Sequence, residues 1–156
     1  MSNVESVKVV HQPMDQFSQA DNQLTVGGFK LNQIRALLGK TVFYAYDRAV
    51  ISAQVQRFRE FIPKRIKLHY AIKANPYWPV IQHLRGLVDG FDVASQKEML
   101  LALQAGMPVA DISFAGPGKT DAELRSAISA GVTLNVESAT ELKRIVQIGQ
   151  QLQLVV

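Results

Sequence analysis

Lys67-Leu68-His69-Tyr70-Ala71-Ile72-Lys73-Ala74-Asn75-Pro76 is the stretch whose reading decides the fold. Apolar residues lead up to a lysine, and Asn75-Pro76 closes the run, because proline has no N–H to give a ladder. The pattern predicts a short buried strand that ends at Lys73. Side chains alternate faces along a strand, so Ala71 and Lys73 point one way and Tyr70 and Ile72 the other. A lysine at the C-terminal end of a strand, with only a methyl group beside it, leaves room for something large. Partly desolvated, such an amine has a lowered pKa and becomes a nucleophile able to form a Schiff base. The competing reading is a strand-end lysine that reaches water.

From this stretch onward a unit repeats: short apolar strand, loop, helix. The strands begin near Lys67, Phe91, Ile112, Leu134 and Leu152. Their spacing of roughly twenty residues suits βα units with short connections. The patterning predicts helices over 78–87, 96–105, 121–130 and 139–150. Three of them open on a capping-box signature: Ser95-Gln96-Lys97-Glu98, Thr120-Asp121-Ala122-Glu123 and Ser138-Ala139-Thr140-Glu141. Three end near a glycine: Gly106, Gly131 and Gly149. Successive βα units predict a parallel sheet with helices packed outside it.

Upstream the chain reads differently. Residues 1–23 are polar and aperiodic, a loose arm, and residues 24–66 form a lead-in. Gln23 to Leu31 predicts a small hairpin with Gly27-Gly28 at its turn. Asn32 is placed to cap a short helix to Leu38, closed by Gly39. Residues 41–46 have strand composition. A helix from Asp47 or Arg48 to about Ile62 carries Ile51, Val55, Phe58 and Ile62 on one stripe, and Pro63 ends it.

The last residues, Leu152-Gln153-Leu154-Val155-Val156, read as a strand with no cap, turn or following helix. Eight βα units need roughly 250 residues. Four units and a fifth strand are expected in the 156 residues present. The fold class is α/β, and residues 67–156 read as the truncated first half of a (β/α)8 barrel. An open doubly wound sheet is the complete alternative.

Composition narrows the function classes. A chain of 156 residues is one ordinary domain and can bury a sizeable core. With 47% apolar and 19% charged residues it is globular rather than disordered. The net charge of +4 is scattered. Its one cluster, Lys64-Arg65 with Lys67, lacks interleaved aromatics and reads as a solvated face rather than a nucleic-acid groove. The absence of cysteine excludes disulfides, thiolate zinc sites and cysteine nucleophiles. No apolar run approaches membrane-spanning length, no signal peptide is visible, and a cytoplasmic location is the expectation.

In parallel α/β folds, sites gather at the C-terminal ends of strands. Those ends read Lys73-Ala74-Asn75, Asp92-Val93-Ala94-Ser95, Ala115-Gly116-Pro117-Gly118-Lys119 and Asn135-Val136-Glu137-Ser138. Each is polar or glycine-rich after an apolar run. Gly116-Pro117-Gly118-Lys119-Thr120 invites a P-loop reading, but the required earlier glycine is Ser113. A tight turn into a helix capped by Thr120 is the plainer reading. A weaker phosphate or carboxylate contact at that helix N-terminus stays open.

Four of these motifs, in order, resemble a known family. Tyr70-Ala71-Ile72-Lys73-Ala74-Asn75, Gly90-Phe91-Asp92-Val93-Ala94-Ser95 with Glu98, Phe114-Ala115-Gly116-Pro117-Gly118-Lys119-Thr120 and Asn135-Val136-Glu137-Ser138 are similar to the pyridoxal-phosphate-dependent ornithine/diaminopimelate/arginine decarboxylases. These have the alanine-racemase-like barrel. Phe43-Tyr44-Ala45-Tyr46-Asp47-Arg48 adds a resemblance to the subgroup associated with exosortase and exopolysaccharide gene clusters. The resemblance runs from about Leu24 to the end.

The resemblance implies roles. Lys73 is the amine that forms the internal aldimine with pyridoxal 5′-phosphate, which serves as the electron sink when carbon dioxide departs. Asp92 and Glu98 lie near the cofactor and its lysine, and Glu98 also fits a capping box. Ala71 leaves space for the ring. Asn75 either supports the cofactor or only ends the strand. His69 reads as a packed core histidine and Trp78 as packing. The substrate is a small amino acid, and the full-length protein is a homodimer. The family's phosphate-binding glycine-rich loop, its acid on the pyridine nitrogen and its C-terminal β domain have no counterpart in residues 1–156. The expectation is therefore an inactive or weakly active fragment. A non-catalytic cofactor-binding protein and a structural fragment without cofactor are the other readings.

Overall fold

The computed structural model describes residues 14–156. Most of the expected polar arm lies outside them. The chain forms two compact units, Met1–Val50 and Ile51–Val156.

In the first unit, β1 (Gln19–Ala20), β2 (Gln23–Val26) and β3 (Phe29–Lys30) make an antiparallel sheet in that order. Val26 pairs with Phe29 around Gly27-Gly28, whose φ values of 59° and 82° are those of a primed hairpin turn that only glycine adopts freely. The expected loose arm ends earlier than residue 23. Asp21 and Asn22 also take positive φ, and Gln19 pairs with Leu24 in a second tight hairpin. Helix α1 (Leu31–Leu38) follows β3 directly. Its first turn is closed by Gln33, which accepts the Lys30 amide at 2.9 Å, not by Asn32, which lies inside the helix. Gly39 ends it in the left-handed conformation, as expected.

Residues 41–46 form no strand. Val42 and Tyr44 are exposed, and the stretch joins no ladder among the described residues. Strand composition describes a fit to a pleated surface, and it yields no strand where no partner lies alongside. Asp47 then caps helix α2 (Arg48–Phe61) through the Ala49 amide at 2.8 Å and accepts the Gly27 amide at 2.7 Å.

The second unit is the βα repeat. Strands β4 (His69–Ala71), β5 (Gly90–Val93), β6 (Ile112–Phe114) and β7 (Thr133–Leu134) form one parallel sheet in the order β4-β5-β6-β7. Helices α3 (Trp78–Arg85), α4 (Gln96–Gln104), α5 (Asp121–Ala130) and α6 (Ala139–Leu152) follow the strands in turn. Among the described residues this strand order does not reverse. A doubly wound sheet needs a reversal, so the order is that of a barrel. Ile72, Phe91, Met99, Ile112 and Phe114 are fully buried at the centre. Leu124 and Ile128 of α5 pack on Ile145 and Ile148 of α6. On α2, Ile51 and Val55 pack against the core while Phe58 stays largely exposed, so the expected stripe is only half used.

Each of the three helix starts has its cap. Ser95, Thr120 and Ser138 accept the amides of Glu98, Glu123 and Glu141. The reciprocal half of the box forms only at Thr120, where Glu123 accepts the Thr120 amide at 3.0 Å. Glu98 and Glu141 reach one residue further back, to the amides of Ala94 and Glu137.

The expected fifth strand does not form. Helix α6 runs past Gly149 to Leu152, and Gln153 stops it in the left-handed conformation, bonded to Gln150 O and Gly149 O. The Leu154 amide also returns to Gly149 O at 3.0 Å, which makes residues 149–154 a helix end. Gly149 is thus inside the helix and not its terminator.

Candidate active site

The C-terminal ends of β4 to β7 surround a cleft of about 270 Å³. Ala71 and Lys73 form one side of it, Asp92, Val93 and Ala94 the next, and Ala115, Gly116 and Glu137 the far side.

Lys73 sits on a single 3-10 turn, Ile72–Ala74, just past β4. The strand stops two residues early because Asn75 closes this turn: its amide donates to Ile72 O at 3.1 Å. Asn75 Oδ1 accepts the Tyr77 amide at 3.0 Å, and Tyr70 Oη donates to Asn75 O at 3.2 Å. These bonds shape the loop, and Asn75 itself does not line the cleft. Ile72 is fully buried on one side of the turn while Lys73 is exposed on the other, so the expected partial desolvation of its amine is not supplied by the described residues.

Asp92 stands beside Ala71 in the β4–β5 register. Its carboxylate lies 3.2 Å from His69 Nδ1. His69 is therefore no closed core residue: about a quarter of its side chain (24%) is exposed, and it pairs with an acid of the cleft. Glu98 does not line the cleft. Its Oε2 accepts the Ala94 amide at 2.8 Å, so it braces the loop that carries Ala94. Trp78, the first residue of α3, is half-buried.

The far wall is built by two loops bonded to each other. Glu137 Oε1 accepts the Gly116 amide at 2.8 Å. Gly116 has φ 123°, a backbone that side-chain-bearing residues rarely adopt. Asn135 Nδ2 donates to Ser113 Oγ at 2.7 Å. Lys119 does not face the open end of α5, as a P-loop lysine would. Its ammonium is buried, bonded to Gly116 O at 2.7 Å, Asn135 O at 2.9 Å and Glu141 Oε1 at 2.9 Å. Burial pushes the Glu141 carboxyl up, but the Glu137 amide, Lys119 and Arg144 outweigh it and hold Glu141 below its ordinary value.

The sequence reading assigned no role to Glu137 or to the Lys119–Glu141 pair. The signal for Glu137 was present, an ionisable residue just past a strand end. The pair is 22 residues apart in sequence, and nothing local announces it.

A parallel βα array with sequential strands and a cleft at their C-terminal ends defines the class: a barrel-type α/β domain with its site at the strand ends. Residues 48–156 match the model of the pyridoxal-dependent decarboxylase pyridoxal-binding domain. The chain belongs to the pyridoxal-dependent decarboxylase family, whose members use pyridoxal phosphate. A Staphylococcus aureus 2-[(L-alanin-3-ylcarbamoyl)methyl]-2-hydroxybutanedioate decarboxylase is 38% identical over 74% of this chain and 29% of its own length. Diaminopimelate decarboxylase of Pseudomonas aeruginosa is 37% identical over 89% of this chain and 34% of its own length. The crystal structure of Helicobacter pylori diaminopimelate decarboxylase complexed with L-lysine superposes with a TM-score of 0.68 at 36% identity, covering 77% of this chain and 32% of that one. The chain thus spans about a third of the length of these relatives.

The cleft fits the cofactor's ring and aldehyde. Lys73 brings a primary amine to the lining, and Ala71, Ala94, Ala115 and Gly116 bring no bulky side chain. Lys73 is the one cation among the cleft-lining residues, so the phosphate has no dedicated partner among them.

Proposed function

We propose that this chain provides the cofactor-holding part of an amino-acid decarboxylase, with Lys73 as the amine that holds pyridoxal phosphate. The observation that carries the reading is the placement of Lys73 with Ala71 and Asp92 in one cleft at the strand ends. Bound there, pyridoxal phosphate supplies the electron sink for the charge left when carbon dioxide departs. Ala71 keeps the space beside the amine open. Asp92 offers a carboxylate to the cofactor side of the cleft, held in place by His69. Glu98 and Asn75 act from behind, through the loops that carry Ala94 and the Lys73 turn.

The substrate class in this proposal is a small amino acid of the diaminopimelate, ornithine or lysine kind. The named activities of the relatives support it. The 156-residue chain alone is expected to turn over little or no substrate, since it spans about a third of the length of its relatives. A homodimer, a cytoplasmic location and the exosortase-associated subgroup belong to the same proposal. The dimer and the subgroup rest on the motif resemblance, which for the subgroup includes Phe43 to Arg48. No helix among the described residues is long and apolar enough to cross a membrane.

The test is covalent trapping. The chain is mixed with pyridoxal phosphate, reduced with borohydride, digested and examined by mass spectrometry. A pyridoxyl group concentrated on Lys73, and lost in Lys73→Ala, is the expected result. Even labelling of surface lysines would sink the assignment of Lys73. Labelling of Lys73 by a full-length protein that forms no product would favour the non-catalytic reading.

A further inference from the structure

The buried ion pair Lys119–Glu141 is the feature that the cofactor reading leaves unused. Its side chains keep only 1% and 4% of their surface. Burying a full charge pair is expensive, and apolar residues of similar size would serve stability as well or better. Its connections run towards the cleft. Lys119 Nζ holds Gly116 O at 2.7 Å and Asn135 O at 2.9 Å. Glu141 Oε2 accepts the Glu137 amide at 2.7 Å while its other oxygen takes Lys119. Glu137 Oε1 then accepts the Gly116 amide at 2.8 Å. The bonds close a ring: Gly116, Lys119, Glu141, Glu137 and back to Gly116. Two members of that ring, Gly116 and Glu137, line the cleft, and the other two lie buried behind it.

We propose that Lys119 and Glu141 are positioning residues, a buried clasp that fixes Gly116 and Glu137 as the far wall of the cofactor cleft. The inference rests on the cofactor reading above, and it adds a function to side chains that touch no ligand. A ring made of charged groups is directional. Each bond of the ring has its own donor and acceptor atom, so the two loops have one relative placement. An apolar contact would hold them together without fixing Gly116 at φ 123° or aiming Glu137.

The test separates clasp from core. The double variant Lys119→Met/Glu141→Leu replaces the pair by apolar groups of similar size, which keeps the fold where a single change would strand a buried charge. Two readouts follow. The first is amide hydrogen exchange at Gly116 and Glu137, with the core amides of β5 as internal reference. The second is an absorbance titration with pyridoxal phosphate. The clasp predicts strong protection of both amides in the unaltered chain. In the double variant it predicts loss of that protection by about tenfold or more and cofactor binding weakened roughly ten- to a hundredfold, with β5 amides unchanged.

Unchanged exchange and unchanged binding in the folded double variant would overturn the proposal. Gly116 and Glu137 amides that exchange at free-peptide rates in the unaltered chain would overturn it as well, without any variant. If the unaltered chain binds no cofactor, the reading of the cleft fails by itself. The exchange data still decide whether the clasp sets the two loops.

Discussion

Gly90 lies directly opposite His69 in the β4–β5 ladder, and the side chain it lacks is the space that the imidazole fills. A Cβ placed on Gly90 would meet His69 Cε1 at 2.5 Å and would also press on the Asp111 carbonyl oxygen. The imidazole reaches Asp92 from this seat, so the glycine is tied to the charge arrangement at the cleft. Gly90→Ala is expected to cost about 1–3 kcal/mol through overpacking, read as a lower urea midpoint at unchanged slope. Adding His69→Ala relieves only part of the loss, because the Asp111 carbonyl is backbone and stays. A Gly90→Ala midpoint equal to that of the parent chain would disprove the close packing.

Glu123 serves two helices. Its Oε2 accepts the Thr120 amide at 3.0 Å, completing the box at the start of α5, and its Oε1 accepts the Gln96 amide at 3.1 Å at the start of α4. Those amides are the orphan donors of helix N-termini, and a lost cap costs about 0.5–2 kcal/mol. Glu123→Ala should therefore destabilise more than Thr120→Ala, which loses a cap of α5 only. Thermal melts of the two variants side by side check the order. A larger loss for Thr120→Ala would mean that the contact to α4 contributes nothing.

The Arg59–Asp89 pair fastens α2 to the strand side of the second unit. Arg59 Nη1 donates to Asp89 at 2.6 Å, and the Leu68 amide donates to the same carboxylate oxygen at 2.6 Å. Both side chains are about a third exposed, 33% and 35%, so the ion pair itself contributes at most about 1 kcal/mol. The backbone bond matters more, since together with the Asp89 amide, which donates to Leu68 O at 2.8 Å, it fixes the chain just before β4. Asp89→Asn, which keeps an acceptor for Leu68, should be milder than Asp89→Ala, and salt should narrow the gap between Asp89→Asn and the parent chain. Equal urea midpoints for Asp89→Asn and Asp89→Ala would show that the Leu68 bond carries no stability.

The particular residues show where the sequence was legible. The Gly27-Gly28 hairpin, the caps at Ser95, Thr120 and Ser138, and the αL stop at Gly131 are local events written within a few residues. The four parallel strands were legible from their apolar runs, though each is shorter than its run. Lys73 was placed on the strand end and lies on a 3-10 turn, because the bonds of Asn75 are made by its own loop and are invisible to a period-two pattern. Residues 41–46 and the expected fifth strand failed for a common reason: a strand exists only with a neighbour, and composition does not supply one. The clasp of Lys119 on Glu141 is a buried contact of two charges 22 residues apart, which no local pattern encodes.

Acid should loosen the chain in a defined window. Asp89 is held below its ordinary 3.8, first by Arg59 and then by the Leu68 amide. Glu123 is held below its ordinary 4.5, first by the Thr120 amide and then by that of Gln96. Glu141 is also held below 4.5, where the Glu137 amide, Lys119 and Arg144 overcome the opposing burial. In each case the folded carboxyl takes its proton at lower pH than the unfolded one. The unfolded chain thus binds more protons as pH falls through the ordinary values, and stability falls with it. The contribution of these groups is fully present above about pH 5.5 and is lost as pH drops below 4.5 and through the lowered folded values. Urea midpoints taken from pH 7 downward should be level to about 5.5 and then decline. Lys119→Met/Glu141→Leu should decline less steeply, because it has removed the one of the three groups that is both buried and paired. A midpoint that holds or rises down to about pH 3 would contradict the depressed carboxyls, and with them the closed ring of bonds behind the cleft.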